Sequence, residues 1–274
     1  RPKQVLAGLA GGAAGSGDPR VDLKADLERA LAEAATTGPR LGEAFLQLNR
    51  ALAAEPDKAA TLKLVQSLAQ PYPNVPEAQF AVALAAYNAG LKDFDTATIA
   101  LQAIDRALLQ KPGWEQAMLL KVEILGKQSA ERAADYLVDL LRAEPDSKIA
   151  NSALAQVRIQ QKKYAEAAAI LQRLWEQDRD NHEYQFGMAM LAMQMKDWAK
   201  AERLFEELQR VDYGDDGVVE SYLAQIAEET GRFDVALERF RAVPEGDRGW
   251  IAQLRVAAML GKLGRVDEAR RYLA

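Results

Sequence analysis

The chain contains no cysteine among its 274 residues, which excludes disulfide cross-links and any metal site built on thiolate. That absence does not select a compartment, because proteins of oxidising and of reducing environments can both do without the residue. Histidine is nearly as scarce: His182 stands alone, between Asn181 and Glu183. A tightly held transition metal would need a second imidazole or a thiolate, and a nucleophile–base pair would need a serine in a G-x-S-x-G elbow, which the chain never presents. No stretch of roughly 18 apolar residues occurs, so no helix able to span a bilayer is expected. A basic excess is missing too. With 35 Lys and Arg against 40 Asp and Glu, the net charge of −5 argues against nucleic acid or an anionic membrane as the main partner. Aromatic residues make up only 7% of the chain while hydrophobic residues make up 49%, the balance of an Ala- and Leu-rich helical protein and not of a β-sandwich. The Gly/Ala-rich residues 1–20 lack the G-K-[ST] ending of a phosphate loop and follow no strand, so they read as a loose lead-in or a frayed first helix. No catalytic residue, cofactor or metal is expected, and the abundant carboxylates read as solvated helix faces.

What the chain has instead is a period. K-K-Y-A-E-A-A-A-I-L-Q-R-L from Lys162 is answered by K-D-W-A-K-A-E-R-L-F-E-E-L from Lys196, with the aromatics Tyr164 and Trp198 separated by 34 residues. Taking that position as an anchor, the series runs Phe94, Ala130, Tyr164, Trp198, Phe233 and Val266. Three residues on comes alanine each time: Ala97, Ala133, Ala167, Ala201, Ala236 and Ala269. One helical turn further stand Leu101, Leu137, Leu171, Phe205, Phe240 and Leu273 on the same face. Nine residues before the anchor lie Ala85, Ala155, Ala189, Ala224 and Ala257, with Lys121 the exception. Small residues at matching places in adjacent antiparallel helices let the axes approach, while large neighbours fill the flanks. The spacing predicts helices over about 21–36, 41–53 and 58–70, then a regular alternation from 77 onward. Pro71–Pro76, with three prolines in six residues, reads as a turn.

This pattern resembles the tetratricopeptide repeat family from about Val21 to Ala274: the small residue of the first helix, the aromatic and Ala opening the second, and the polar or Pro turn closing it, as in R-A-E-P-D from Arg142. The resemblance implies an all-α, right-handed solenoid of about seven antiparallel helix pairs over 21–274, cut at both ends, and a non-enzymatic scaffold that binds a protein or peptide along its concave wall. Two segments, F-D-V-A-L-E-R-F-R-A-V-P-E-G-D from Phe233 and L-G-K-L-G-R-V-D-E-A from Leu260, look like a bacterial periplasmic group of these proteins. Those are outer-membrane lipoproteins, some of them adaptors that bring substrates to a C-terminal-processing protease. That implies a periplasmic location with an anchor outside residues 1–274, the alternative being cytoplasmic. Other roles open to such a scaffold are an assembly factor for a pilus, secretion or envelope machine, and a regulatory subunit of an enzyme.

In this family's geometry the first helices line the inner wall with positions twelve, eight and five before the anchor. The expected partner-binding residues are therefore Met118, Val122 and Leu125; Ser152, Gln156 and Ile159; Phe186, Met190 and Met193; and Ser221, Gln225 and Glu228. The Phe/Met group is suited to varied apolar side chains, because methionine is unbranched and polarizable. The family's chaperone-binding members grip a terminal carboxylate with inner-wall Lys and Asn; Val, Met, Ser and Phe stand in those places here, so that partner is not expected. Apolar faces left uncovered at either end would fray or self-associate.

Overall fold

The structure, a computed structural model, describes residues 19–36, 40–214, 217–244 and 246–273. The lead-in expected over 1–20 therefore lies almost wholly outside the described residues. Among those that are described there are fifteen helices and no strand. They are α1 (Pro19–Thr36), α2 (Arg40–Leu52), α3 (Lys58–Ala69), α4 (Pro76–Ala89), α5 (Phe94–Gln110), α6 (Glu115–Gln128), α7 (Ala130–Ala143), α8 (Lys148–Gln160), α9 (Tyr164–Gln177), α10 (His182–Gln194), α11 (Trp198–Arg210), α12 (Val218–Glu229), α13 (Phe233–Ala242), α14 (Asp247–Lys262) and α15 (Val266–Leu273). Within each unit most successive helices pack on one another, and the fold is an all-α solenoid of helix pairs. Two compact units divide the chain between Tyr136 and Leu137.

The alanines of the period stand at the helix contacts. Ala133, Ala167, Ala201 and Ala236 have no accessible surface and Ala97 is buried, as are their first-helix counterparts Ala85, Ala155, Ala189, Ala224 and Ala257. The exception, Lys121, is accommodated by charge and by a ring. Its ammonium lies 2.8 Å from the Asp105 carboxylate on α5 and 4.2 Å from the centroid of Tyr136, so its stem covers apolar surface while its head is neutralised. The anchor aromatics, by contrast, are not core: Tyr164, Trp198 and Phe233 are half-buried and Phe94 is 83% exposed.

In the first unit α4 is the central element. Its sequence is rich in alanine, so backbones approach it from several sides, and it packs on α2, α3, α5 and α6. The proline segment before it is held by Tyr72, whose ring meets buried Phe45 edge-on at 5.7 Å, and by the Gln110 amide, which donates to the Pro73 carbonyl at 3.1 Å. Pro76 is the first residue of α4, a position where its missing N–H costs nothing.

In the second unit the turn inside each pair is built the same way four times. The residue two before the anchor, Lys162, Lys196, Gly231 or Gly264, has a φ between 57° and 76°. The following N–H then reaches back five residues, as from Lys163 to the Arg158 carbonyl at 2.8 Å and from Asp197 to the Ala192 carbonyl at 2.9 Å. This is a Schellman motif, which satisfies carbonyls left without intrahelical partners. Asp197 then caps α11 by accepting from the Lys200 N–H at 3.2 Å.

Two outcomes follow from this packing. Ala201→Leu forces a larger side chain into a contact with no free surface and loses about 1–3 kcal/mol, whereas Ala199→Leu, at an exposed position, changes stability little; urea melts of the two variants separate the effects. Lys196→Gly relieves a left-handed lysine worth roughly 1–2 kcal/mol and gives back about 0.5–1 in backbone entropy, so its midpoint rises slightly, while Gly231→Ala lowers it.

Candidate functional site

The expected inner-wall residues divide by burial. Met118, Val122 and Leu125 on α6 are buried in the folded chain. On α8, Gln156 and Ile159 are exposed and Ser152 is half-buried. On α10, Phe186, Met190 and Met193 are half-buried, each packed against the core cluster formed by Met188, Phe205, Leu208 and Leu223.

Phe186 is held by rings on three sides. Its centroid lies 5.8 Å from that of Phe205, 5.4 Å from that of Tyr213 and 5.8 Å from that of Tyr222, and Tyr222 in turn stacks on Phe205 at 5.1 Å. Such edge-to-face and stacked pairs add about 0.5–1.5 kcal/mol each beyond area burial, so this ring is a structural tie between α10 and α12 as well as a surface. The Tyr213 phenol is pushed up to about 12, first by burial and then by its hydrogen bond to the Glu183 carboxylate and that group's charge. It remains a protonated donor at neutral pH.

The fourth triplet is mostly committed within the protein. Ser221 is buried, its hydroxyl donating to the Gly217 carbonyl at 2.9 Å. Glu228 pairs with Lys262 at 3.0 Å and Arg255 at 3.3 Å, both from α14, and its side chain is mostly covered. Gln225 remains half-buried. Similar pairs cross other helices: Arg232 grips Glu202 through two bonds of 2.8 and 3.0 Å, and Arg239 meets Glu220 at 3.2 Å.

The open apolar surface of this unit lies on α14. Trp250 is 61%, Ile251 55% and Leu254 46% exposed, and they share one face because they are spaced by three and four residues. That face continues through exposed Ala258 and Gly261, and no atom lies within 4 Å of where a Cβ on Gly261 would stand. Leu254, Ala258 and Gly261 are the α14 members of the inner-wall series. Trp250 and Ile251 extend it by one turn, and the run R-G-W-I-A-Q-L is the signal that would have pointed to them.

His182, at the start of α10, packs its ring edge-on to Tyr213 at 6.5 Å. Among the described residues no group of three His, Cys, Asp or Glu is placed to hold a metal ion, and no helix is long and apolar enough to cross a membrane.

The last helix shows how far surface charge contributes. Glu268 accepts from Arg265 through two bonds of 2.8 Å and from Arg241 of α13 at 3.0 Å, and these, led by Arg265, hold its carboxyl below the usual carboxylate value. Because the folded value is the lower one, the stabilisation is complete above the ordinary value near 4.5 and is lost as pH falls through the folded one. Cα chemical shifts of residues 266–273 should therefore drift toward coil values in that acid range while those of α10 hold. Glu268→Gln should remove the drift.

The tetratricopeptide repeat family model matches residues 125–191 and 159–219. No curated protein sequence matches the chain. Among solved structures, one reported as a functional characterisation of Pseudomonas aeruginosa pilF is similar over 82% of this chain and 98% of its own, at 16% identity and a TM-score of 0.50. A tetratricopeptide repeat protein from Parabacteroides merdae ATCC 43184 is similar over 94% and 96%, at 13% identity and a TM-score of 0.49. At such identities the likeness concerns the fold alone. Residues 125–219 thus match the tetratricopeptide repeat in sequence, within an all-α solenoid of helix pairs.

Proposed function

We propose that this chain is a non-enzymatic protein-binding scaffold whose second unit receives its partner on the faces of the first helices α8, α10, α12 and α14. The observation that carries the reading is the exposed apolar stripe Trp250, Ile251 and Leu254, since soluble monomers rarely leave clustered large apolar side chains uncovered without a use. The half-exposed Phe186, Met190 and Met193 offer an adaptable second patch, and Gln156 and Gln225 offer amide groups around it. Tetratricopeptide repeats serve as protein-binding modules, and the matched family is not one of enzymes.

Within that reading the role we assign is an adaptor that presents a substrate to a C-terminal-processing protease in the periplasm. The support is the likeness of Phe233–Asp247 and Leu260–Ala269 to that group, together with a chain of two compact units, each with surface of its own. An adaptor holds two proteins at once, whereas an assembly factor for a pilus or secretion machine holds one structural subunit.

The test is capture from an extract of the source cell by the immobilised chain, with recovered proteins identified and then recombined pairwise. Trp250→Ala with Leu254→Glu should abolish capture while melting temperature and helicity stay unchanged. Met190→Glu with Met193→Glu should weaken capture and also cost about 1–3 kcal/mol, because both methionines pack on the core. Retention of every partner by the Trp250/Leu254 variant would sink the surface assignment. Recovery of one partner that excludes all others would sink the adaptor role.

A further inference from the structure

Sulfur in this chain is confined to six methionines, and four of them, Met188, Met190, Met193 and Met195, lie on α10 and the turn that ends it. The six divide by depth. Met118, Met188 and Met259 are buried, none of them more than 7% exposed. Met190 and Met193 are half-buried, and their spacing of three residues puts them on one face of α10. Met195, at the C-cap position, is 37% exposed and is offset from that face by its spacing of five and two residues from the other pair.

A thioether has no proton to lose, so its access to solvent, and not pH, decides how readily its sulfur meets an oxidant. Access ranks Met195 first, Met190 and Met193 next, and the three buried methionines last. Of the accessible sulfurs, two also hold structure: Met190 and Met193 pack on the cluster of Met188, Phe205, Leu208 and Leu223. A sulfoxide oxygen is a strong acceptor, and leaving it against that apolar surface without a donor is costly, so an oxidised side chain turns toward water and leaves the cluster. Phe186 on the same face is held separately, by the rings of Phe205, Tyr213 and Tyr222, and keeps α10 seated.

We infer that Met190 and Met193 form a reversible oxidation site, at which a peroxide switches this part of the inner wall from apolar to polar without unfolding the chain. A sulfur lone pair bonds to one oxygen of hydrogen peroxide and the O–O bond breaks. The second oxygen leaves with the bonding pair and takes up the proton of the first as water, the sulfide being oxidised by two electrons and the peroxide reduced. Sulfoxide reductases, one for each configuration at sulfur, reverse the step with two electrons from a thiol pair. The consequence for partner binding rests on the surface reading above, whereas the pattern of oxidation does not.

The test exposes the 274-residue chain, carbon-13 labelled at its methionine methyls, to hydrogen peroxide and follows it by peptide mass mapping and methyl NMR. Met195 should gain oxygen first and Met190 and Met193 next, with Met118, Met188 and Met259 at least tenfold slower than that pair. Amide hydrogen exchange in residues 182–194 should quicken once the pair is oxidised, while exchange in α13 and the overall helicity hold. The two reductases with dithiothreitol should restore the starting spectrum. Met190→Leu with Met193→Leu, which keeps apolar packing at similar volume, should abolish the exchange response, and Met195→Leu should retain it. The oxidation site is overturned if the buried methionines react as fast as Met190 and Met193, if those two resist a dose that converts Met195 completely, or if the double leucine variant still responds. Equal capture of partners before and after oxidation of the pair overturns the switch. Capture by neither form sinks the surface reading alone, because the mass and exchange readouts use no partner.

Discussion

The helix crossings of this chain depend on an alanine methyl standing where a larger side chain would hold two backbones apart. At Ala189 against Ala201, and at Ala224 against Ala236, neither residue of the pair retains accessible surface, and the bulk needed to close the layer comes from flanking residues such as Met188, Phe205, Leu223 and Phe240. Dispersion falls steeply with separation, so close axes multiply weak contacts along the whole of each helix. The long side chains on the outer surfaces add comparatively little. Ion pairs such as Arg241–Glu268 and Lys148–Asp178 stand in water and contribute little, enough to favour one alignment of neighbours but not to hold them.

That division explains which features could be read from sequence. The alanine column was legible because steric exclusion acts at one position per helix and repeats with the structural period; even the misfit at Lys121 announced itself, although its rescue by Asp105 and Tyr136 needed the fold. The aromatic anchor was legible as a marker but not as a depth: Phe94 and Trp198 share a column, yet one is almost fully exposed and the other half-covered, because burial there depends on which helix lies across it. The left-handed turn was in the sequence as a column reading Lys162, Lys196, Gly231 and Gly264. The glycines are its natural occupants, and the two lysines concealed the requirement.

For the candidate surfaces the period gave the face of each first helix but not its exposure. Met118 and Leu254 occupy equivalent columns, the one buried and the other open. Glu228, expected to face a partner, is a junction of two cations.

The position of α4 among four neighbours has a mechanical consequence. Helix pairs that touch only the pair before and the pair after can be peeled from a free end one at a time, each yielding at modest tension because few contacts break together. A helix gripped by α2, α3, α5 and α6 cannot leave singly: its contacts with all four must shear in one event. A chain stretched from its two ends would therefore pay out the second unit in small steps and surrender the block around α4 in one large extension at higher force. Such a segment acts as the fixed post of an otherwise compliant spring.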